Sequence, residues 1–124
     1  MKSINTKVLV VDDDVDIVYV VKILLTAQGF EVITRNSGQY FLKTVKEIQP
    51  HIILLDVQLG DSDGRHLCRE LKISEAHKHI KVILFTANPA YAQDLHEYLC
   101  DGFIEKPFEI HHLVATIRAF PIAI

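Results

Sequence analysis

The sequence predicts a three-layer, doubly wound α/β domain, and three observations carry that prediction. Five short apolar runs alternate with five stretches of helical periodicity. The runs at 52–55 and 81–85 are apolar almost without interruption, as strands buried on both faces are. Polar residues stand where four of the runs end: Asp12 and Asp13, then Asp56, Thr86 and Lys106. In open parallel sheets, ligands bind at the carboxyl ends of the strands.

The elements follow in order. Lys7 to Val11 (KVLVV) is a β-branched strand ending in Asp12, Asp13 and Asp14. A helix is predicted from Val15 to Gln28, with Asp14 and Asp16 as charges that suit its N-terminal dipole and Gly29 as its stop. Ile17, Val20, Val21, Leu24, Leu25 and Gln28 fall on its inward side; Tyr19, Lys22, Ile23 and Thr26 lie opposite, with Val18 at the margin. Phe30 to Thr34 alternates like a strand near a sheet edge. Asn36 or Ser37 is placed to cap a helix reaching Ile48, with Phe41, Leu42, Val45 and Ile48 inward. After Pro50 comes the central strand, Ile52 to Leu55, with Asp56 at its end. Asp63 or Gly64 opens a helix to Ile73 with Leu67, Cys68 and Leu71 inward. Lys81 to Phe85 is the fourth strand, and Asn88 and Pro89 open a predicted helix to Leu99. Gly102 to Glu105 is a short fifth strand, and Phe108 to Phe120 a final helix stopped by Pro121. Right-handed crossovers leave few topologies for such a chain, and a flavodoxin-like (βα)5 order, 2-1-3-4-5, is the one adopted here.

Composition narrows the function classes. The 124 residues, 49% of them hydrophobic, suffice for one core domain spanning 1–124. A net charge of −3 supplies no basic field for direct nucleic-acid binding. No stretch is long and apolar enough for membrane insertion, and the start, MKSINTKVLV, does not read as a signal peptide, so a cytoplasmic chain is expected. Cys68 and Cys100 make no metal-ligand spacing and read as reduced, buried thiols. The seven histidines are scattered and read as surface residues rather than ligands. No output domain is expected after Pro121.

In the 2-1-3-4-5 order the first and third strands are neighbours, so Asp12, Asp13, Asp56, Thr86 and Lys106 converge at one end of the sheet. Three carboxylates so close repel one another, and a divalent cation is the usual remedy. Hard oxygen donors on a partly open site favour Mg2+, which keeps positions for water and phosphate. A hydroxyl and an ammonium opposite could hold the remaining oxygens of a phosphoryl group. An Asp carboxylate is a competent nucleophile for phosphoryl transfer, in which the protein supplies mainly positioning and charge stabilisation.

The stretches VLVVDDD, IILLDVQLGDSDG, ILFTA and GFIEKPF resemble the four signatures of the bacterial response-regulator receiver domain, in the family's order and spacing and over essentially the whole chain. The resemblance implies a phosphorylation switch in two-component signalling or a phosphorelay. A histidine kinase or histidine phosphotransfer protein would donate a phosphoryl group to Asp56, and the effect would pass to a downstream protein target. It implies Mg2+ held directly by Asp13, Asp56 and the backbone carbonyl of Gln58, with Asp12 helping through water. Thr86 and Lys106 would hold phosphoryl oxygens, and Thr86 would draw its loop inward on activation. Phe103 sits where the family carries a rotating aromatic, its alternative reading being a plain core side chain; Gln58 and Asn88 match positions that tune loss of the phosphoryl group. A cis bond between Lys106 and Pro107 is implied as well. In this family the first helix often docks on the phosphodonor, which gives Val18, Tyr19 and Ile23 a candidate partner-binding role. Such a domain is no enzyme beyond taking part in its own phosphorylation and dephosphorylation.

Two departures from the family pattern stand out. Gly60 occupies a position where the family most often has proline, and it loosens that loop. The stretch from Thr86 to Lys106 is about two residues shorter than in the chemotaxis protein, which predicts a fourth helix clipped by half a turn or reset in angle. Two other function classes fit less well. A haloacid-dehalogenase-type phosphatase would carry its nucleophile after the first strand and need a larger core. A receiver-shaped interaction module acting without phosphorylation would have no need of the five-residue site.

Overall fold

A strand sends successive side chains to opposite faces, so each apolar run contributes to two cores. The computed structural model describes residues 5–121. Residues 1–4 and 122–124, which carry part of the stretch read for a signal peptide and the chain end, lie outside the described residues. The elements are β1 (Lys7–Val11), α1 (Val15–Ala27), β2 (Glu31–Arg35), α2 (Phe41–Ile48), β3 (Ile52–Asp56), α3 (Gly64–Lys72), β4 (Lys81–Thr86), β5 (Gly102–Glu105) and α4 (Ile110–Arg118). All strand pairs are parallel, in the order β2-β1-β3-β4-β5. The register sets Val11 beside Leu55 and Asp56 beside Phe85, which aligns the carboxyl ends of β1, β3 and β4.

Leu9, Ile53, Leu55, Val82 and Leu84 face α2 and α3, where they meet Phe41, Val45, Cys68 and Leu71. Val8, Val10, Ile52, Leu54, Ile83, Phe85 and Ile104 face α1 and α4, against Val21, Leu25, Leu113 and Ile117. β3 is buried along its full length, as the uninterrupted apolar run requires. β2 is a half-exposed edge. Among the described residues no helix is long and apolar enough to cross a membrane. Cys68 and Cys100 are free thiols. Burial pushes the Cys68 thiol up to about 12, and that of Cys100 upward too, so both stay protonated.

Four expectations are corrected. The predicted fourth helix is absent as an α-helix. Asn88 does cap it, accepting from the Ala90 N–H at 3.0 Å, but the segment forms two 3₁₀ turns, Pro89–Ala92 and Leu95–Tyr98. Of its residues only Leu95 is buried, and Leu99 closes it at φ +64. The shortened connection turns back before a continuous helix can lay an apolar face on the sheet. Second, neither Asn36 nor Ser37 caps α2, whose N-cap is Tyr40 with no side-chain bond. The Ser37 hydroxyl donates instead to Asp61, in the loop before α3. Leu42, assigned inward, is exposed.

Third, the sheet-facing stripe of α1 is Val18, Val21 and Leu25. Val18 is therefore core and not part of an outer face, whereas Val20, assigned inward, is 51% exposed. A helix apolar on most of its circumference does not fix its own rotation by periodicity, and packing against β1 and β2 decides it. Fourth, the last helix is shorter than predicted: Glu109 caps it, and Phe108 and Phe120 pack on the core from outside its ends.

Candidate functional site

Asp12, the first residue after β1, is fully buried. One carboxylate oxygen accepts from the Asp14 N–H at 2.9 Å and the other pairs with Lys106 Nζ at 2.8 Å. Asp14 in turn caps α1 by accepting from the N–H groups of Asp16 and Ile17, and Asp16 stands in the first turn, where its charge was expected. Asp13 is exposed, and among the described residues its carboxylate has neither a hydrogen bond nor an ion pair. Asp56 ends β3 at only 4% exposure, accepting from the Gln58 N–H at 3.3 Å with Lys106 Nζ 3.5 Å away. Thr86 ends β4 fully buried, its hydroxyl accepting from the Asn88 N–H at 3.2 Å. Lys106 enters from beyond β5; its N–H donates to the Thr86 carbonyl at 2.9 Å, and the bond to Pro107 is cis. All five residues meet at one end of the sheet.

The charges set the chemistry. Burial first, and then the neighbouring Asp12 carboxylate, push the Asp56 carboxyl up from 3.8 to about 7, against the pull of Lys106. Asp12, Asp13 and Asp56 each present a carboxylate oxygen within 4.8 Å of the others. Such a donor set, all hard oxygen and open on the Asp13 side, suits Mg2+. Because both Asp12 oxygens are already engaged, Asp13 and Asp56 are the carboxylates with donor capacity to spare.

Glycines shape the loop that follows Asp56. The antiparallel bridge between Gln58 and Asp63 is closed by the Leu59 N–H to Ser62 and the Gly64 N–H to Val57, which leaves the Gln58 carbonyl without a partner in it. A Cβ on Gly64 would collide with the Asp56 carbonyl oxygen, so the helix start can approach the strand end only as glycine. Gly60 has φ +78, a conformation closed to proline, and a Cβ there would stand 3.2 Å from an Asp13 carboxylate oxygen. The loop is tied laterally where Asp61 accepts from the Ser37 hydroxyl and the Gly38 N–H.

Sequence reasoning missed the clamp on the 89–98 segment. Arg65, paired with Asp63 at 2.7 Å, lies over the rings of Tyr91 and Tyr98 at 4.5 and 5.1 Å, and Arg69 donates to the Glu97 carbonyl at 2.9 Å. Aromatic residues spaced for a helix and two arginines on the preceding helix were the available signal. The surface assignment of the histidines holds for His66, which stacks on Tyr98, and for His79, His96, His111 and His112, all exposed; His51 and His77 are half-buried instead, and His51 accepts from the Lys7 N–H at 2.9 Å.

The model of the response regulator receiver domain matches residues 8–118. The chain belongs to the response regulator receiver domain family. Receiver domains serve two-component response regulators, and phosphorylation and Mg2+ binding are general properties of the family. The DNA-binding response regulator MtrA of Mycobacterium tuberculosis is 31% identical over 121 residues, 96% of this chain and 52% of its own length. The probable transcriptional regulator ycf27 of Pyropia yezoensis is 31% identical over 96% of this chain and 49% of its own. The chain thus spans about half the length of the curated relatives it matches. Among solved structures, the BeF3-activated DrrB receiver domain is 32% identical with a TM-score of 0.81, over 94% of this chain and 97% of that one. The Vibrio cholerae chemotaxis protein CheY4, 24% identical with a TM-score of 0.85 over 94% and 98%, shares the receiver fold.

Proposed function

We propose that this receiver domain is the phosphoacceptor of a two-component relay or phosphorelay, with Asp56 taking a phosphoryl group from a histidine kinase or histidine phosphotransfer protein. The observation that carries the reading is one nearly buried carboxylate at the end of the central strand, with two further carboxylates within 4.8 Å and an ammonium at 3.5 Å. In transfer an Asp56 oxygen attacks phosphorus, the bond from phosphorus to the donor imidazole breaks, and the imidazole leaves with that electron pair. Mg2+ bound by Asp13, Asp56 and the Gln58 carbonyl, with Asp12 helping through water, would neutralise the carboxylates and the incoming oxygens. Lys106 then moves its pairing from Asp12 toward a phosphoryl oxygen. Thr86, whose oxygen accepts from Asn88, keeps its own proton to donate to another. Phe103, half-buried against the α2–α3 core, is the candidate to follow Thr86 inward.

The output is a change in binding of a downstream protein target, in a cytoplasmic setting, without direct nucleic-acid contact by this chain. Tyr19 and Ile23, 66% and 51% exposed, give α1 an apolar outer face for the phosphodonor. Ile23→Lys should slow transfer from the cognate donor several-fold and leave acetyl phosphate uptake unchanged. The decisive experiment is intact-mass spectrometry after incubation with Mg2+ and acetyl phosphate. One phosphoryl adduct is expected, dependent on Mg2+ and abolished by Asp56→Asn; no adduct on the unaltered chain would end the reading.

A further inference from the structure

We propose that Phe85 is a positioning residue for Lys106, its ring face holding the ammonium at the mouth of the carboxylate cluster; the part this plays in phosphoryl transfer rests on the phosphoacceptor reading above. Phe85 precedes Thr86 in β4 and lies in register between Asp56 of β3 and Ile104 of β5. Strand alternation sends its ring to the α1–α4 face, while Leu84 before it points to the other. Lys106 leaves the sheet two residues beyond Ile104, so its stem must cross Phe85 to reach Asp12 and Asp56. Its Nζ lies 4.4 Å from the ring centroid, 2.8 Å from Asp12 and 3.5 Å from Asp56.

The ring is fully buried and therefore desolvated on the side that meets the cation, which is where cation–π attraction is strongest. It is also braced. Phe108 meets it edge-on, with centroids 6.2 Å apart and planes at 72°. Because Phe108 follows Lys106 and Pro107, the loop that carries the lysine returns to hold the surface on which the lysine rests. Leucine or methionine would fill much of the same core volume, so packing alone does not call for an aromatic here. A ring offers something a further carboxylate could not. It attracts the ammonium without adding a negative charge that would repel the incoming phosphoryl group. Lys106 can then exchange Asp12 for a phosphoryl oxygen while staying on the ring.

The test varies the ring's electrostatics at nearly constant shape. Phenylalanine at position 85 of the full chain is replaced by its 4-fluoro, 3,5-difluoro and 3,4,5-trifluoro analogues. The Mg2+-dependent rate of phosphorylation by acetyl phosphate is measured for each, with the unfolding midpoint recorded alongside. The rate should fall stepwise, by roughly three- to tenfold at trifluoro substitution, with no loss of thermal stability. In NMR spectra the Lys106 ε-methylene protons of the unaltered chain should be displaced upfield by the ring, and Phe85→Leu should abolish that displacement. A flat rate series on a chain that is phosphorylated, or absence of the upfield displacement, overturns the role of Phe85 alone. An unaltered chain that takes no phosphoryl group overturns the phosphoacceptor reading and with it any part for Phe85 in transfer.

Discussion

At the scale of single residues, the site is a set of charges that the fold holds against their preference. Burial and Asp12 raise the Asp56 carboxyl to about 7, so between 3.8 and that value the folded chain binds more protons than the unfolded one. The stability contribution of this group is therefore fully present below pH 4 and lost as pH rises to neutrality. Asp56→Asn does not titrate and keeps the acceptor for the Gln58 N–H. The variant should be more stable than the parent by about 1–3 kcal/mol at pH 7.5 without metal, the difference vanishing near pH 4. Urea unfolding at a series of pH values in EDTA checks this, and a pH-independent difference would show that Asp56 is not held up by its surroundings. Gly60 carries a second prediction. Its φ of +78 excludes proline, so Gly60→Pro, which restores the commoner family residue, should destabilise by about 1–3 kcal/mol and weaken Mg2+ binding by displacing Asp13. The sequence showed that Gly60 is unusual; only the backbone shows that glycine is required.

At the scale of elements, the sequence was most legible where one physical cause dominates. The continuous apolar run of β3 and the helix starts after Asp14 and near Asp63 or Gly64 need only local chemistry, and the structure has them there, with Asp14 and Asp63 as the caps. The 89–98 segment depends on chain length between two fixed strand ends and on side chains from α3, neither of which periodicity reports. Its cap was legible and its continuation was not. The rotation of α1 failed for a related reason, since Val18 and Val20 are equally apolar and only the neighbouring strands distinguish them. The Arg65 clamp gives the segment a testable dependence. Arg65→Ala removes the guanidinium between Tyr91 and Tyr98 while leaving the sheet intact. Amide exchange over residues 89–98 should accelerate about tenfold, with little change in β1 or β3 and a global loss of about 1 kcal/mol. Uniform acceleration across the chain would mean that Arg65 stabilises the whole fold rather than this segment.

At the scale of the whole molecule, the two ends of the sheet are built on opposite principles. At the amino ends of β4 and β5, Lys72 donates to the carbonyls of Lys78 and Ile80 and pairs with Asp101 at 2.7 Å, while Asp101 accepts from the Val82 N–H at 2.8 Å. Both of these charges have partners. At the carboxyl ends, three carboxylates lie within 4.8 Å of one another, one ammonium serves Asp12 and Asp56, and Asp13 has no partner among the described residues. Negative charge is thus left in excess at the carboxyl ends and balanced around Lys72 and Asp101, and an imbalance of that kind is a common mark of a functional site. A ligand that supplies positive charge at the carboxyl ends should therefore stabilise the entire fold. With Mg2+ at about one hundred times its dissociation constant, linkage gives about 2.7 kcal/mol of added stability. Binding requires Asp56 to lose its proton, so the gain at a fixed Mg2+ concentration should be larger at pH 8 than at pH 6. Asp13→Asn should remove most of it, because Asp13 is the carboxylate with both oxygens to spare. Urea midpoints in Mg2+ and in EDTA, at both pH values and for both chains, measure all three terms together. A midpoint indifferent to Mg2+ at pH 8 would mean that the carboxylate cluster relieves its repulsion by protonation alone.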